Sequence, residues 1–316
     1  MIIATNVLNS QQLSAAKTLI STVQSHDGTY RDPYLSNMLN FDPEMPAFFL
    51  AYQGEQLVGL LTVYADDEDV ELAIIVHPDY RRQGLARKLY DCYQMKTANY
   101  PIASVTFQTE RVFLDKHPDL ATAWNLVEDT DTETWLGRER EPYQFSQQAE
   151  LTVSLAQVHH ADSIARCKTA AFGNDYEVAL RYVREAIADS DSLLYLLEHS
   201  GAVIGSCTVD ISTDDNYLYG LAIAPDQQQK GYGTYLVKAV INDLITKNDT
   251  PFQIAVEDDN LIAKRLYENI GFTKQTQVVY LDPKKVDMLL EEFENTSAVI
   301  EPTALAIARK LESRSC

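Results

Sequence analysis

Apolar positions along the chain come in short blocks separated by polar turns. Phe48-Phe49-Leu50-Ala51-Tyr52 is followed by Gln53-Gly54-Glu55-Gln56 and then by the run Leu57 to Val63. Further on, Leu193 to Leu197 leads through Glu198-His199-Ser200-Gly201 into Ala202 to Val209. Short apolar runs around a glycine-bearing turn predict a β-hairpin at each place. A third strand follows each hairpin, Val70 to Val76 and Tyr217 to Ala224, and both stop at a proline, Pro78 and Pro225. Helical spacing predicts helices over Ala161–Ala171 and Ala179–Ala188, and further helices beginning near Arg87 and Tyr235. Short strands are expected at Ile2–Asn6, Ser104–Gln108, Leu151–Leu155 and Gln253–Val256.

The two halves repeat. Pro78 and Pro225, Gly84 and Gly231, and Gly54 and Gly201 are each 147 residues apart. One offset shared by three pairs predicts two copies of one domain. The polar stretch Gly137–Gln148 carries Gly and Pro and no periodicity, so the boundary is expected there. The domains are then 1–147 and 148–282, followed by a tail over 283–316. In the tail, Val286, Leu289, Leu290 and Phe293 have helical spacing, Pro302 interrupts, and Ala304–Leu311 resumes. A helical tail is expected to pack on the domains or on a partner chain, which would make an oligomer. The strand and helix order in each half is that of an α/β chain of the α+β type, with a mixed, mostly antiparallel sheet flanked by helices.

Charge narrows the partners. Lys and Arg number 26 against 46 Asp and Glu, a net charge of -20 over 316 residues. Sequence-independent binding to nucleic acid needs cations against phosphates, so neither nucleic acid nor an anionic membrane is an expected partner. No stretch approaches the 18 or so apolar residues of a membrane span. The start lacks a basic or apolar targeting segment, and a cytoplasmic protein is expected. Cys92, Cys167, Cys207 and Cys316 form no close pair, and no histidine pair has metal-ligand spacing. Reduced thiols and no metal site are expected. Each half carries -10, so charge marks no single binding face.

The candidate chemistry lies where the third strand of each half meets a helix. The joining loops are Arg81-Arg82-Gln83-Gly84-Leu85-Ala86 and Gln228-Gln229-Lys230-Gly231-Tyr232-Gly233-Thr234. A helix start offers unpaired backbone N–H groups and the positive end of the dipole. Gly at the turn lets the backbone approach a ligand closely, and the small residues Ala86 and Gly233 are expected to keep bulk away from it. Such a junction suits a phosphate or pyrophosphate. It is not a P-loop, because Lys230 precedes its glycine rather than following it.

Arg81-x-x-Gly84-x-Ala86 and Gln228-x-x-Gly231-x-Gly233, each after an apolar strand ending in Val/Ile-x-Pro, resemble the acyl-CoA signature of the GNAT superfamily of N-acyltransferases. The segment Val256 to Phe272 is similar to the downstream part of the same signature, with Asn260, Ala263, Leu266-Tyr267 and Gly271-Phe272 in order. The residues support this locally: Asn260 is an N-cap candidate, Ala263, Leu266, Tyr267 and Ile270 share a helix face, and Gly271 ends the helix.

The resemblance implies tandem GNAT domains and an acyl-CoA-dependent N-acyltransferase. Acetyl-CoA is the implied donor, and a small-molecule or peptide amine the acceptor. Its pantetheine would pair with Leu221, Ala222 and Ile223, and its pyrophosphate would rest on Gln228–Thr234, with Asn260 nearby. The first-half equivalents are Ile75, Val76 and Arg81, Arg82, Gln83, Gly84, Leu85 and Ala86. Arg81, Arg82 and Lys230 would face the polyanion. Tyr267 would protonate the leaving thiolate, which is general-acid chemistry.

The first half departs from the pattern after residue 108. Arg111 to Leu120 has no Leu-Tyr pair and no Gly-Phe, and nothing matches Tyr267. Glu71 is the strand carboxylate expected to act as base, yet its second-half counterparts are Tyr217 and Tyr219. Asp210, Asp214, Asp215 and Glu257 are the alternatives there. Three readings follow: catalysis in the second domain, catalysis in the first with Glu71, or a CoA-binding scaffold without turnover.

Overall fold

The computed structural model describes residues 1–146, 148–212 and 215–284. The expected helical tail beyond Lys284, Cys316 and Asp214 lie outside the described residues. By packing the chain forms two compact units. The first holds 1–109, 113–130 and, among described residues, the chain from Val279; the second holds 110–112 and 131–278.

In the first unit, β1 (Ile2–Thr5), β2 (Phe48–Gln53), β3 (Gln56–Tyr64) and β4 (Asp69–Val76) pair antiparallel in sequence order. The strand β5 (Ser104–Glu110) then adds parallel to β4. Alternate strand residues face opposite ways, so this sheet buries both faces. Phe48, Leu50 and Leu60 pack with Ala16, Leu19 and Ile20 of α1 (Ser10–Asp27). Phe49 and Leu61 pack with Leu89 and Tyr93 of α2 (Leu85–Thr97). The helix α1 starts in a capping box of Asn9 and Gln12 and ends at Gly28 with φ 71°. Two short helices follow β5: α3 (Arg111–Lys116) and α4 (Leu120–Trp124).

The second unit repeats this plan. β7 (Leu151–Leu155), β8 (Ser192–His199), β9 (Ala202–Asp210) and β10 (Asn216–Ile223) pair antiparallel, and β11 (Phe252–Glu257) joins β10 in parallel. Helices α5 (Ala161–Phe172) and α6 (Tyr176–Ala188) cover Leu194 and Leu196. Helices α7 (Tyr232–Ile245) and α8 (Leu261–Asn269) cover the other face, at Tyr195, Leu197, Cys207 and Leu218. Among the described residues the first unit has no counterpart of α6.

The last strands of the two copies do not stay with their own copy. The strand β6 (Leu126–Arg138) falls mostly in the second unit, where Glu133–Arg138 pairs antiparallel with β11. The strand β12 (Thr273–Pro283) ends in the first unit. There Val279 and Leu281 join the core around Phe107 and Leu126, and Asp282 accepts a hydrogen bond from Thr106 (2.6 Å). The cut by packing therefore runs at Thr130–Asp131, whereas the repeat in the sequence puts it in the polar stretch 137–148. A linear repeat carries no sign of exchanged strands.

Candidate active site

The two loops have the same backbone. A 3-10 turn, Pro78–Tyr80 or Pro225–Gln227, follows each third strand. Then Arg82 and Gln229 both take φ 60°, and Gly84 and Gly231 take φ 76° and 83°. Both following helices, α2 and α7, start without a side-chain cap. Their first N–H groups therefore face outward beside a left-handed turn, an arrangement that suits an anion. A Cβ at Gly84 or Gly231 would meet nothing within 4 Å. Glycine is required there by the backbone angle, and the space beside it is open.

The side chains refine the expectation. Gln228 donates from Nε2 to the Ile223 carbonyl (3.0 Å), and Arg81 donates from Nε to the Val76 carbonyl (3.0 Å). Both stitch the loop back onto its strand. Lys230 donates to Gln227 Oε1 (3.0 Å), and Gln83 to the Asp79 carbonyl (3.1 Å). The absent Cβ of Gly233 corrects the sequence expectation. It would lie 3.2 Å from Leu266 Cδ1 and 3.7 Å from Ile223 Cγ1, so this glycine lets α7 approach α8 rather than clearing a ligand.

Each unit also has a wedge beside its loop. Pairing of β10 with β11 ends at Leu218–Ile254, although the strands run on to Ile223 and Glu257. Pairing of β4 with β5 ends at Leu72–Phe107, with Ile75 and Val76 beyond. The wedges differ in one respect. The register of β10 on β9 shifts between Tyr219 and Ala222, and Gly220 there takes φ 58°. The pairing of β4 with β3 runs unbroken from Val76 to Glu71. A bulge re-aims the strand and its side chains.

Tyr267 stands on α8 and is 3% exposed. Asn260 caps that helix, accepting from the Ala263 N–H (3.1 Å). Burial first, then the neighbouring Cys207 and Tyr217, raises the Tyr267 pKa well above the phenol value, so the hydroxyl keeps its proton. Asp258, beside α8, is structural. Burial pushes its pKa up, but hydrogen bonds from Lys264, Thr132, Thr134 and Gln277 outweigh that and hold it far below the usual range. Three of the carboxylates considered as bases have placed surroundings. Asp210 accepts from the Ser212 N–H (2.7 Å), and Glu257 is exposed at the end of β11. Glu71 accepts from Gln108 at the root of the first wedge. Tyr217 instead stacks between Trp135 (5.3 Å) and Tyr219 (5.9 Å).

Arg81 is held by its own unit. Its guanidinium does not stand free to meet a polyanion. It donates two hydrogen bonds to the buried Asp27 carboxylate (2.8 and 2.6 Å) and lies 5.5 Å from the Phe113 ring. Lys116 of α3 donates to the Asp27 carbonyl. Burial tends to raise the Asp27 pKa, but Arg81 and His26 bring it below the ordinary value. Asp27 carries no motif, and its role follows only from the fold. Lys168 carries no motif either, although it sits four residues after the buried Ile164 on an otherwise apolar helix face. Cys92, Cys167 and Cys207 are free thiols. Among the described residues no helix is long and apolar enough to cross a membrane, and no three His, Cys, Asp or Glu side chains gather as a metal site.

Comparison with known proteins agrees with this geometry. The model of the Acetyltransferase (GNAT) family matches residues 14–102 and 161–272, once in each half. A mycothiol acetyltransferase of Clavibacter sepedonicus is 24% identical over 72% of this chain and 77% of its own length. A [ribosomal protein bS18]-alanine N-acetyltransferase of Haemophilus ducreyi is 35% identical over 20% of this chain and 43% of its own. A tandem GNAT protein from the clavulanic acid biosynthesis pathway has the same fold, with TM-score 0.66 at 14% identity, covering 90% of this chain and 99% of that one. With two loop-and-wedge sites and a family match in both halves, the chain belongs to the GNAT acetyltransferases and carries two copies of their fold in tandem.

Proposed function

We propose that the second unit binds acetyl-CoA and transfers its acetyl group directly to a primary amine. The observation that carries this reading is the continuity of one path. The uncapped start of α7, with Gln229 and Gly231 left-handed, adjoins the unpaired edge of β10, and the edge leads back to a bulge at Gly220. A pyrophosphate suits the first of these, and an amide-bearing pantetheine arm suits the second, which offers backbone N–H and C=O groups. On this reading Leu221, Ala222 and Ile223 hold the arm, and Gln229 to Thr234 hold the pyrophosphate. The thioester then lies toward Gly220. Tyr267 gives its proton to the departing thiolate as the amine nitrogen attacks the thioester carbon. The buried phenol stays protonated until that charge develops.

The acceptor is a small molecule or a peptide bearing a free amine. The relatives' names span both kinds. The first-unit loop is a similar backbone cradle, but its Arg81 is tied to Asp27 and its α3 offers no phenol. We therefore assign turnover to the second unit, not to the first with Glu71. Release of free CoA thiol from acetyl-CoA, followed with a panel of amino sugars, polyamines, arylalkylamines and short peptides, tests this. Amine-dependent release is the expected result. Tight binding with no release by any amine would favour a CoA-binding scaffold instead.

A further inference from the structure

The reaction needs a group to take a proton from the attacking amine, and no second-unit carboxylate stands where Glu71 stands in the first. Lys168 does stand beside the wedge. It lies on α5 in the register of Ile164 and Ala165, which are fully buried against the sheet. Its Nζ reaches Thr208 Oγ1 on β9 (3.5 Å) and lies 2.9 Å from where a Cβ on Gly220 would be. The amine is therefore at the bulge itself. Among the described residues it forms no ion pair, although the chain has 46 acidic side chains.

The two faces of the sheet matter here. Tyr267 and Cys207 belong to the core on the α7–α8 face. Lys168 comes from the α5–α6 face. The wedge between β10 and β11 lies in the sheet that separates these two faces.

We propose that Lys168 is the general base of the second unit, a reading that rests on the acetyl-CoA assignment above. In the step, the acceptor nitrogen's lone pair forms the bond to the thioester carbon and the C–S bond breaks. The nitrogen's proton passes to Lys168 Nζ, and the Tyr267 proton passes to the thiolate sulfur. The amide and CoA leave, and the resulting ammonium and phenolate reset by proton exchange with solvent. Burial supports the role: it favours the neutral amine and lowers the Lys168 pKa, against smaller opposing effects of Cys207 and Cys167. Cys207 on β9 is itself pushed up to about 12 by burial and stays neutral. The Tyr219 phenol on β10 is raised by burial as well. The charged residues Arg181, Arg184 and Glu185 of α6 are exposed.

Three measurements on the full chain test the assignment. First, acetyl-CoA is titrated calorimetrically into wild type, Lys168→Arg and Lys168→Met. Second, thiol release is followed against pH with spermidine and 2-phenylethylamine as probe amines. Third, the lysine amines are titrated by NMR after ¹⁵N-lysine labelling, with Lys168→Arg giving the assignment. The Lys168 amine is expected to lose its proton at lower pH than the other lysines, with kcat/KM rising through the same pH. Both variants should bind acetyl-CoA as wild type does and lose about 100-fold or more in kcat. Arginine keeps the charge but cannot serve as base, so retained turnover in Lys168→Arg would mean an anchor for an acceptor anion and would overturn the proposal. So would a Lys168 amine that titrates with the exposed lysines, whether or not either probe amine is accepted. Failure of wild type to bind acetyl-CoA would instead overturn the underlying assignment.

Discussion

The loops at Arg81–Leu85 and Gln228–Tyr232 match almost angle for angle, yet their surroundings have little in common. In the first unit an arginine is clamped by a buried aspartate, and the helix after β5 is six residues long without a tyrosine. In the second the loop stitch is a neutral glutamine, the strand is bulged at Gly220, and a nine-residue helix brings Tyr267 into the core. A cradle of backbone N–H groups needs only a turn, a left-handed glycine and a helix start. It survives wherever those few residues survive. The acid, the bulge and the amine come from three separate elements, and each can be lost alone.

The contrast can be broken at several points. The largest effect is expected at the clamp. Asp27→Ala leaves the Arg81 guanidinium, 18% exposed, without its partner. Removing one member of a buried pair costs about 3–5 kcal/mol, to be read from urea unfolding. Turnover below the unfolding transition should be unchanged if catalysis belongs to the second unit.

Tyr267→Phe should lower kcat by about 100-fold or more while acetyl-CoA affinity stays the same. Glu71→Gln, its rival in the other unit, should leave kcat at wild type. The reverse pattern would move catalysis to the first unit.

Acid titration gives a smaller, signed effect. Folding lowers the Asp27 pKa from 3.8, so its stabilisation is present at pH values above that and is lost as the pH falls through the folded value. Wild type and Asp27→Asn should therefore differ in stability near neutrality and begin to converge only once the pH falls below 3.8. The smallest effect is local. Asn260→Ala removes the α8 cap and should cost about 1 kcal/mol, with kcat falling only as Tyr267 loses its position.

Much of this architecture is legible in the residues. Hairpins, third strands and both loops fall where apolar runs and glycines predict them, because these are local signals. The helix of Tyr267 is legible from Asn260, its apolar face and Gly271 for the same reason. The exchange of β6 and β12 is not, since strand partners depend on distant parts of the chain. Nor is the Arg81–Asp27 clamp: 54 residues separate the pair, and neither residue differs in type from a surface ion. Gly233 reads in sequence as a ligand-clearing residue, and only packing against Leu266 gives its purpose. Lys168 is one lysine on an apolar helix face, a signal present but too small to stand out.

On this assignment the second loop is the acyl-CoA site. Calorimetric titration of acetyl-CoA into the full-length wild type, Gly231→Glu and Gly84→Glu tests it most directly. At φ 83° a glutamate is strained, and it adds negative charge in the open space beside the helix start. Gly231→Glu is expected to abolish the high-affinity binding that supports turnover, while Gly84→Glu retains it. Binding unchanged in Gly231→Glu and lost in Gly84→Glu would contradict the assignment.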